Sequence, residues 1–328
     1  SGSSLNGLFA QRRNIVRLPF YRMIRDILRF NKTALPGIDK LDDEETLGNY
    51  LRNKGYSHEF IDHYLIPLAA AIWSAEPGSV LEMPVRFLVR FFANHGLLQI
   101  SDRPIWRVIK GGSREYVGKL VAGPRDRIRL NSPVQSIRRI DDRVEVHSAT
   151  GGTESFDYVF VACHSDQALA LLKDPTPAER EILGAIHYQH NEAILHTDVA
   201  LMPKRQCAWA AWNYHIPRDS SRHVAVTYNM NILQGLEANK QYLVTLNNDR
   251  HIDPDKVIRT VQYEHPVFSR ESVAAQRRQA EINDDRTFFC GAYWRSGFHE
   301  DGVVSALNAL GHFEEKLSNG QLHLRRAS

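Results

Sequence analysis

Cysteine is scarce in this sequence. The three thiols, Cys163, Cys207 and Cys290, lie far apart with no CxxC or metal-ligand spacing. That excludes a disulfide-stapled scaffold and a cysteine-based zinc site, and it fits buried free thiols in a reducing compartment. No apolar run approaches the ~18 residues that a membrane-crossing helix requires, and no secretory leader is evident. A cytoplasmic protein, soluble or at most peripheral at a membrane, is therefore expected. A strong excess of one charge is also missing: the formal net charge is +3, which gives no argument for a nucleic-acid partner. None of the 15 histidines stands in metal-ligand spacing, and no Ser-His-Asp grouping accompanies a nucleophile elbow. Internal repeats and low-complexity tracts are absent.

What is present is ordinary for a globular chain: 328 residues, 43% hydrophobic and 24% charged, long enough for two domains. The first third reads as helical. Leu47–Lys54 closes at Gly55, and Ser57 is placed to cap a helix carrying Ile61, Leu65, Leu68 and Ile72 at core spacing. Pro84 suits the first turn of a helix over Val85–His95. Near residue 105 the texture changes. Short strands are predicted at Ile105–Ile109 and Arg127–Leu130, and Ser113 caps a helix that stops around Gly123. Val134–Ile140 and Arg143–Ser148 alternate as a hairpin, and Tyr158–Cys163 is a continuous apolar strand of the parallel, buried kind. A helix at Ser165–Leu172 and a capping box at Thr176–Glu179 follow. Strands are then predicted at Asn191–His196, Cys207–His215, His223–Asn229 and Tyr242–Leu246. Asp253 caps a helix through Arg259, before a strand at Val261–Glu264. A helix over Ser272–Ile282 and a strand at Thr287–Cys290 precede the last helix.

The segment Phe9–Lys32 carries seven basic residues (Arg12, Arg13, Arg17, Arg22, Arg25, Arg29, Lys32) and one acid, Asp26. On a helix, Tyr21, Ile24, Ile27 and Leu28 share one face, while Arg22, Arg25 and Arg29 share another. Two readings stay open. The helix packs its apolar face on the body of the protein, or it lies on an anionic membrane surface.

The richest constellation is near the C-terminus. A buried strand, Phe288-Phe-Cys, runs into Gly291-Ala292, and an aromatic loop, Tyr293-Trp294-Arg295-Ser296-Gly297-Phe298, delivers the chain to a helix starting near Glu300. Small residues after a strand let the backbone approach a ligand closely. The unsatisfied N–H groups of a new helix give partial positive charge where an anion can sit. Glu300 and Asp301 have a simpler reading too, since acids in a first turn favour the helix dipole without any ligand.

These residues carry a resemblance. Phe288-Phe-Cys-Gly-Ala-Tyr-Trp and Gly297-Phe-His-Glu-Asp-Gly resemble the C-terminal flavin signature of the flavin amine oxidase and phytoene desaturase superfamily. A bacterial branch of NAD/FAD-binding, amine-oxidase-like oxidoreductases is similar over further motifs: Ser4-Leu-Asn-Gly-Leu-Phe-Ala-Gln-Arg, Ala71-Ile-Trp-Ser, Phe92-Ala-Asn-His-Gly-Leu-Leu, Trp106-Arg-Val-Ile-Lys-Gly-Gly-Ser, His164-Ser-Asp-Gln-Ala-Leu, Trp212-Asn-Tyr and Tyr263-Glu-His-Pro-Val-Phe. The resemblance implies FAD, hydride transfer at the flavin, and an α/β fold in which a Rossmann-like FAD-binding domain is interleaved with an α+β substrate domain of mixed sheet plus helices. Relatives lying beside, or fused to, cyclopropane-fatty-acid synthase-like enzymes imply a hydrophobic, fatty-acyl substrate. True amine oxidation is the alternative, for which no clear flavin-facing lysine is found.

Carried over residue by residue, the resemblance implies cofactor contacts from Gly291, Ala292, Tyr293, Gly297, Phe298, His299, Glu300, Asp301, Gly302 and Val303. Val134, in Asn131-Ser-Pro-Val, matches the position facing the adenine. Trp209, Trp212, Tyr228 and Trp294 are the candidates for a substrate pocket. His299 is either a proton or hydrogen-bond donor beside the flavin or a structural cap, and His164 reads as a loop or cap residue. No catalytic residue is assigned. One departure stands out: the GxGxxG motif that cradles the FAD pyrophosphate is absent, since Gly111-Gly112-Ser113 and Gly118 have the wrong spacing. A smaller one is Ser305-Ala306, where relatives often have Ser-Gly. The expectation is a family member lacking its N-terminal βαβ unit, whose site is completed by that segment or by a partner, or a non-catalytic remnant. Its FAD-binding domain is then incomplete. The expected division is 1–104, helical part of the substrate domain; 105–175, FAD-binding; 176–270, substrate sheet; 271–328, FAD-binding.

Overall fold

A computed structural model describes residues 5–100, 104–216, 225–248 and 251–322. The opening Ser1–Ser4, and the first two residues of the strand expected at His223–Asn229, lie outside the described residues. In chain order, the helices used below are α1 (Leu18–Thr33), α2 (Leu47–Asn53), α3 (Ile66–Trp73), α4 (Val85–Asn94), α5 (Arg114–Leu120), α6 (Ser165–Leu171), α7 (Pro177–Gly184), α8 (Arg270–Gln276) and α9 (His299–Ser318). The strands are β1 (Val134–Ile140), β2 (Arg143–Ser148), β3 (Gly152–Phe156), β4 (Val159–Val161), β5 (Tyr188–His196), β6 (Trp212–His215), β7 (Ala225–Asn229), β8 (Leu243–Leu246), β9 (Val257–Pro266) and β10 (Thr287–Phe289). The class is α/β, with mixed sheets and helices.

The chain divides into two compact units, one of residues 1–118 and 189–265, the other of 119–188 and 266–328. The sequence placed the divisions at 104/105, 175/176 and 270/271. Helix α7 belongs with β1 and β10, rather than with the substrate sheet, because its buried Glu179 is held by Arg139 and Thr287.

The first unit combines helices with a five-stranded sheet of order β6-β7-β8-β5-β9. Its helix starts follow local chemistry. Thr46 Oγ1 accepts from Asn49 N (3.2 Å) and Ser57 Oγ from Phe60 N (3.4 Å), each satisfying a donor that no helical carbonyl reaches. A π turn at Ile61–Leu65 leads into α3, which ends at Ser74 in the left-handed conformation (φ 53°). Leu47, Leu51, Leu65, Leu88, Val89 and Phe92 form the core side of these helices.

The second unit holds a three-stranded antiparallel sheet, β1-β2-β3, and a parallel pair, β4 with β10, in which Phe160 is opposite Phe288. Its core includes Ile137, Val144, Ile182, Leu183, Ile282 and Phe289. The capping box at Thr176 is present: Glu179 N donates to Thr176 Oγ1 (3.1 Å), and Thr176 N donates to Glu179 Oε2 (2.7 Å).

Some expectations fail for physical reasons. Ile105–Ile109 and Arg127–Leu130 form no strand, because no neighbouring strand among the described residues pairs with them. The helix from Asp253 stops at Lys256, where Val257, Ile258, Thr260 and Val261 favour the ten-residue strand β9. Strand β3 was missed because Gly152-Thr-Glu-Ser-Phe lacks an apolar alternation. Of the three thiols expected to be buried, Cys290 is; Cys163 is half-buried and Cys207 is exposed, on a short turn instead of the expected strand.

Candidate functional site

Parallel strands that end side by side make a natural ligand edge, since the following loops and helix N-termini converge there. In the second unit the pair β4–β10 provides that edge. Cys290 N donates to Val161 O (3.0 Å), extending the pairing to the strand ends. Beyond β4 lies Ala162-Cys163-His164 and the start of α6; beyond β10 lies Gly291-Ala292 and the loop to α9.

Gly291 is required by geometry. Its φ of 154° is rarely adopted by other residues, and a Cβ there would lie 2.4 Å from the Tyr293 ring. Gly297 (φ 90°) makes the second sharp bend before α9. The loop between them is held from several sides. Gln276 Nε2 donates to Tyr293 O (2.7 Å) and Arg295 O (2.6 Å), and Gln279 Nε2 donates to Phe289 O (2.9 Å). Asp301 accepts from Phe298 N (3.0 Å) and faces Arg295 (3.5 Å), so this first-turn acid works as a cap. Buried Ser305 ties the two halves together: Gly291 N donates to its Oγ (2.8 Å), and that Oγ donates to Gly302 O (2.8 Å).

The half-exposed N-terminal turn of α9 therefore meets the end of β10 through small residues. A Cβ on Gly302 would meet Ala292 N at 3.9 Å, an ordinary contact. His299, Glu300 and Val303 are exposed beside it. Tyr293 and Trp294, by contrast, are buried in the core of this unit, with ring centroids 5.1 Å apart. The Tyr293 hydroxyl and the Trp294 indole N–H complete no hydrogen bond of good geometry. Burial holds the Tyr293 phenol well above its ordinary range. Tyr188 is pushed up to about 12 by burial, against the hydrogen bond from Ser165 N to its hydroxyl (2.9 Å), and its ring stacks on His164 at 4.3 Å. His164 thus occupies the cap position of α6.

Val134 lines an apolar groove of about 560 Å³ with Val159, Phe160, Val161, Ala162 and Leu171. The other three pocket candidates lie in the first unit. Trp212 and Tyr228 are cross-strand partners with rings edge-on at 5.6 Å, and the Tyr228 hydroxyl donates to Ala71 O (3.3 Å). Trp209 stands apart, its Nε1 donating to Pro203 O (2.7 Å). Sequence reasoning missed what continues the pair: Trp106 meets Trp212 at 6.5 Å and His95 at 6.1 Å, His95 stacks on Phe91 at 3.9 Å, and Phe91 meets Trp73 at 4.7 Å. These rings come from four separate segments, so no local motif announces the file.

A sequence model of the flavin containing amine oxidoreductase family matches residues 20–211, more than half of the chain. The chain belongs to that family. As a member it is an FAD-dependent oxidoreductase. No curated protein sequence matches the chain. Solved structures share the fold at low identity. A CLA-producing fatty acid isomerase from P. acnes is similar with a TM-score of 0.62 at 13% identity, over 91% of this chain and 76% of that one. Cyclohexylamine oxidase from Brevibacterium oxydans gives 0.56 at 13%, over 84% and 68%, and a putrescine oxidase bound to putrescine gives 0.59 at 13%, over 89% and 76%.

The family's cofactor can be set against these residues. The small-residue strand end, the half-exposed turn at Gly302 and the N–H groups of the first turn of α9 fit a planar ring whose edge gains negative charge on reduction. For the pyrophosphate the sequence offers no GxGxxG.

Proposed function

We propose that this flavoprotein acts on a hydrophobic, fatty-acyl-like substrate, and that a phosphate-binding βαβ segment packs on the second unit to complete its cofactor site. When bound, FAD supplies the two-electron acceptor or donor for hydride transfer. The residues of this chain would hold it: the Gly291–Phe298 loop would let backbone approach the ring, and the N-terminal turn of α9 would favour negative charge on it. Flavin enzymes leave the hard step to the cofactor, which accounts for the absence of an acid–base pair in the loop.

The observation that carries the substrate reading is the aromatic file Tyr228–Trp212–Trp106–His95–Phe91–Trp73, which contains no acidic residue. Likeness of fold to a fatty acid isomerase supports it. Aromatic faces also hold ammonium groups, so the same file favours amine oxidation as a second reading, in keeping with the family's name. Anaerobic mixing of the flavin-loaded protein with unsaturated fatty acids, and separately with primary amines, tells them apart by which class bleaches the flavin absorbance. Bleaching by amines alone overturns the acyl reading.

Three apolar surfaces support the docking of a segment. The groove beside Val134 and Phe160 is one. Val303, Leu307 and Leu310 form an exposed stripe on α9, opposite the face of Ser305 and Ala309 that packs inward. Between Pro104 and Ser136 no described residue is buried, although the stretch carries Ile105, Trp106, Val108, Ile109, Val117, Leu120, Ile128 and Leu130. Within the second unit, Leu120, Ile128 and Leu130 are exposed apolar side chains of the kind that interaction sites cover. FAD titration of the chain with and without an added GxGxxG-bearing βαβ segment tests the idea; flavin uptake that the segment does not improve refutes it.

A further inference from the structure

We propose that the face formed by the Arg12–Val16 turn and the outward side of α1 docks on an anionic lipid surface. In the turn and at the helix start, Val16 is 84% and Leu18 78% exposed, with Ile15 half exposed beside them. Along α1, Leu18, Tyr21, Arg25, Leu28 and Lys32 recur at three- and four-residue steps and so share one stripe. Tyr21 and Leu28 are 44% and 47% exposed on it, whereas Asp26 and Phe30 point inward and are buried. Of the face expected to be apolar, Ile24 and Ile27 are part-buried against the body of the protein, whereas Tyr21 and Leu28 stand out from it.

The charges point the same way. Asp26 is the one acid between Phe9 and Thr33. It is fully buried, accepting from Ser57 N at 2.9 Å and facing Arg25 and Arg29. Arg29 also donates to Lys54 O and Gly55 O and lies 3.9 Å over Tyr56, and Arg22 pairs with Glu59 at 3.1 Å. These cations anchor α1 to its own unit. Arg13, Arg17 and Lys32 form no ion pair among the described residues, and Arg12 donates to neutral Asn6. The outward face is therefore apolar and cationic without an exposed acid, the composition that an anionic interface recognises. Arg17 also lines a groove of about 600 Å³ whose walls are mixed: Leu8, Ala10, Pro19, Phe20 and Met23 on the apolar side, Gln11, Asn14, His63 and the Arg22-paired Glu59 on the polar side.

The test is co-sedimentation of the protein with vesicles of phosphatidylcholine alone and of phosphatidylcholine mixed with phosphatidylglycerol, at low and high salt. Binding is expected to the anionic vesicles only, to weaken in high salt, and to fall by about tenfold or more in Arg13→Glu/Arg17→Glu and in Val16→Glu/Leu18→Glu. Ile232→Glu, an exposed apolar position elsewhere in the same unit, is expected to bind like the parent. Melting curves that match the parent show that the variants fold. Three outcomes overturn the proposal: no binding to anionic vesicles, equal binding by the charge-reversed variants, or a parent dimer that Val16→Glu/Leu18→Glu turns into a monomer, which assigns the face to a second copy. None depends on flavin content or substrate.

Discussion

His196 on β5 and His215 on β6 stand at the two ends of one hydrogen-bonded file that crosses four strands. Asp198 N donates to His196 Nδ1 (3.0 Å), which leaves the His196 proton on Nε2, facing Thr245 Oγ1 (2.8 Å). Thr245 and Thr227 hydroxyls are 2.8 Å apart, and Thr227 is 3.1 Å from His215 Nε2. With His196 as donor, the hydroxyl protons run from Thr245 to Thr227 to His215. Such a file holds two neutral imidazoles in a buried sheet.

That neutrality makes the first unit sensitive to acid. Burial lowers both imidazoles; Asp198 opposes it at His196, and His251 adds to it at His215. The unfolded chain takes up protons near an ordinary histidine value of about 6.5 while the folded chain resists. Stability is therefore full above that value and falls as pH drops below it. Thermal melts from about pH 7 to about pH 5 are expected to shift down, and less so in His196→Gln/His215→Gln. Burial-lowered His312 in the second unit adds its own slope, which the double variant retains. A double variant with the parent's full pH slope rules out the file as the source.

Arg139 ties three segments of the second unit together. Its guanidinium donates to Glu179 (2.7 and 2.9 Å), Asp174 (3.2 Å) and Thr287 Oγ1 (3.0 Å), and the Glu179 partner is buried. Arg139→Met leaves a buried carboxylate without its cation and is expected to destabilise the unit by about 3–5 kcal/mol. Adding Glu179→Leu removes that charge and should restore most of the loss. Urea unfolding measures both, and an Arg139→Met protein as stable as the parent contradicts the assignment.

At the candidate site, Gly291→Ala is expected to abolish flavin uptake without unfolding the protein. The added Cβ drives into the Tyr293 ring and the backbone angle becomes strained. Ser305→Ala deprives Gly291 N of its buried acceptor, a cost of about 1–3 kcal/mol, and should weaken FAD by on the order of tenfold. Fluorescence titration with FAD, in the presence of the βαβ segment, reads both. Unchanged affinity in Gly291→Ala separates the loop from the cofactor.

Much of this was legible where the chemistry is local. The β10–Gly291–α9 run is contiguous, so its strand, its glycines and its helix start could be read from spacing, as could the caps at Ser57 and Thr176. What stayed hidden is what distant segments supply. Nothing near Ser305 says that it joins Gly291 to Gly302. Trp106 meets Trp212 across more than a hundred residues. For Tyr293 and Trp294 the sequence leaves a wall of the flavin's substrate face and ordinary aromatic core equally open, and it is the packing of distant segments that buries both. On α1 the helical period was right, but it cannot say which of two apolar-bearing sides faces the body; the buried Asp26–Ser57 contact decides that.

Leu307 offers the sharpest test of segment docking. It is 61% exposed on α9, between Val303 and Leu310, while the other side of the helix already packs on β10 through Ala309. Burying such a side chain is worth roughly 1.5–3 kcal/mol, so Leu307→Glu should weaken association with the βαβ segment by at least tenfold and lower flavin uptake in parallel. In the chain alone the same variant loses little contact, so its melting curve should match the parent. If the segment binds Leu307→Glu as tightly as the parent, the stripe lies outside the docking surface and the cofactor site is completed without it.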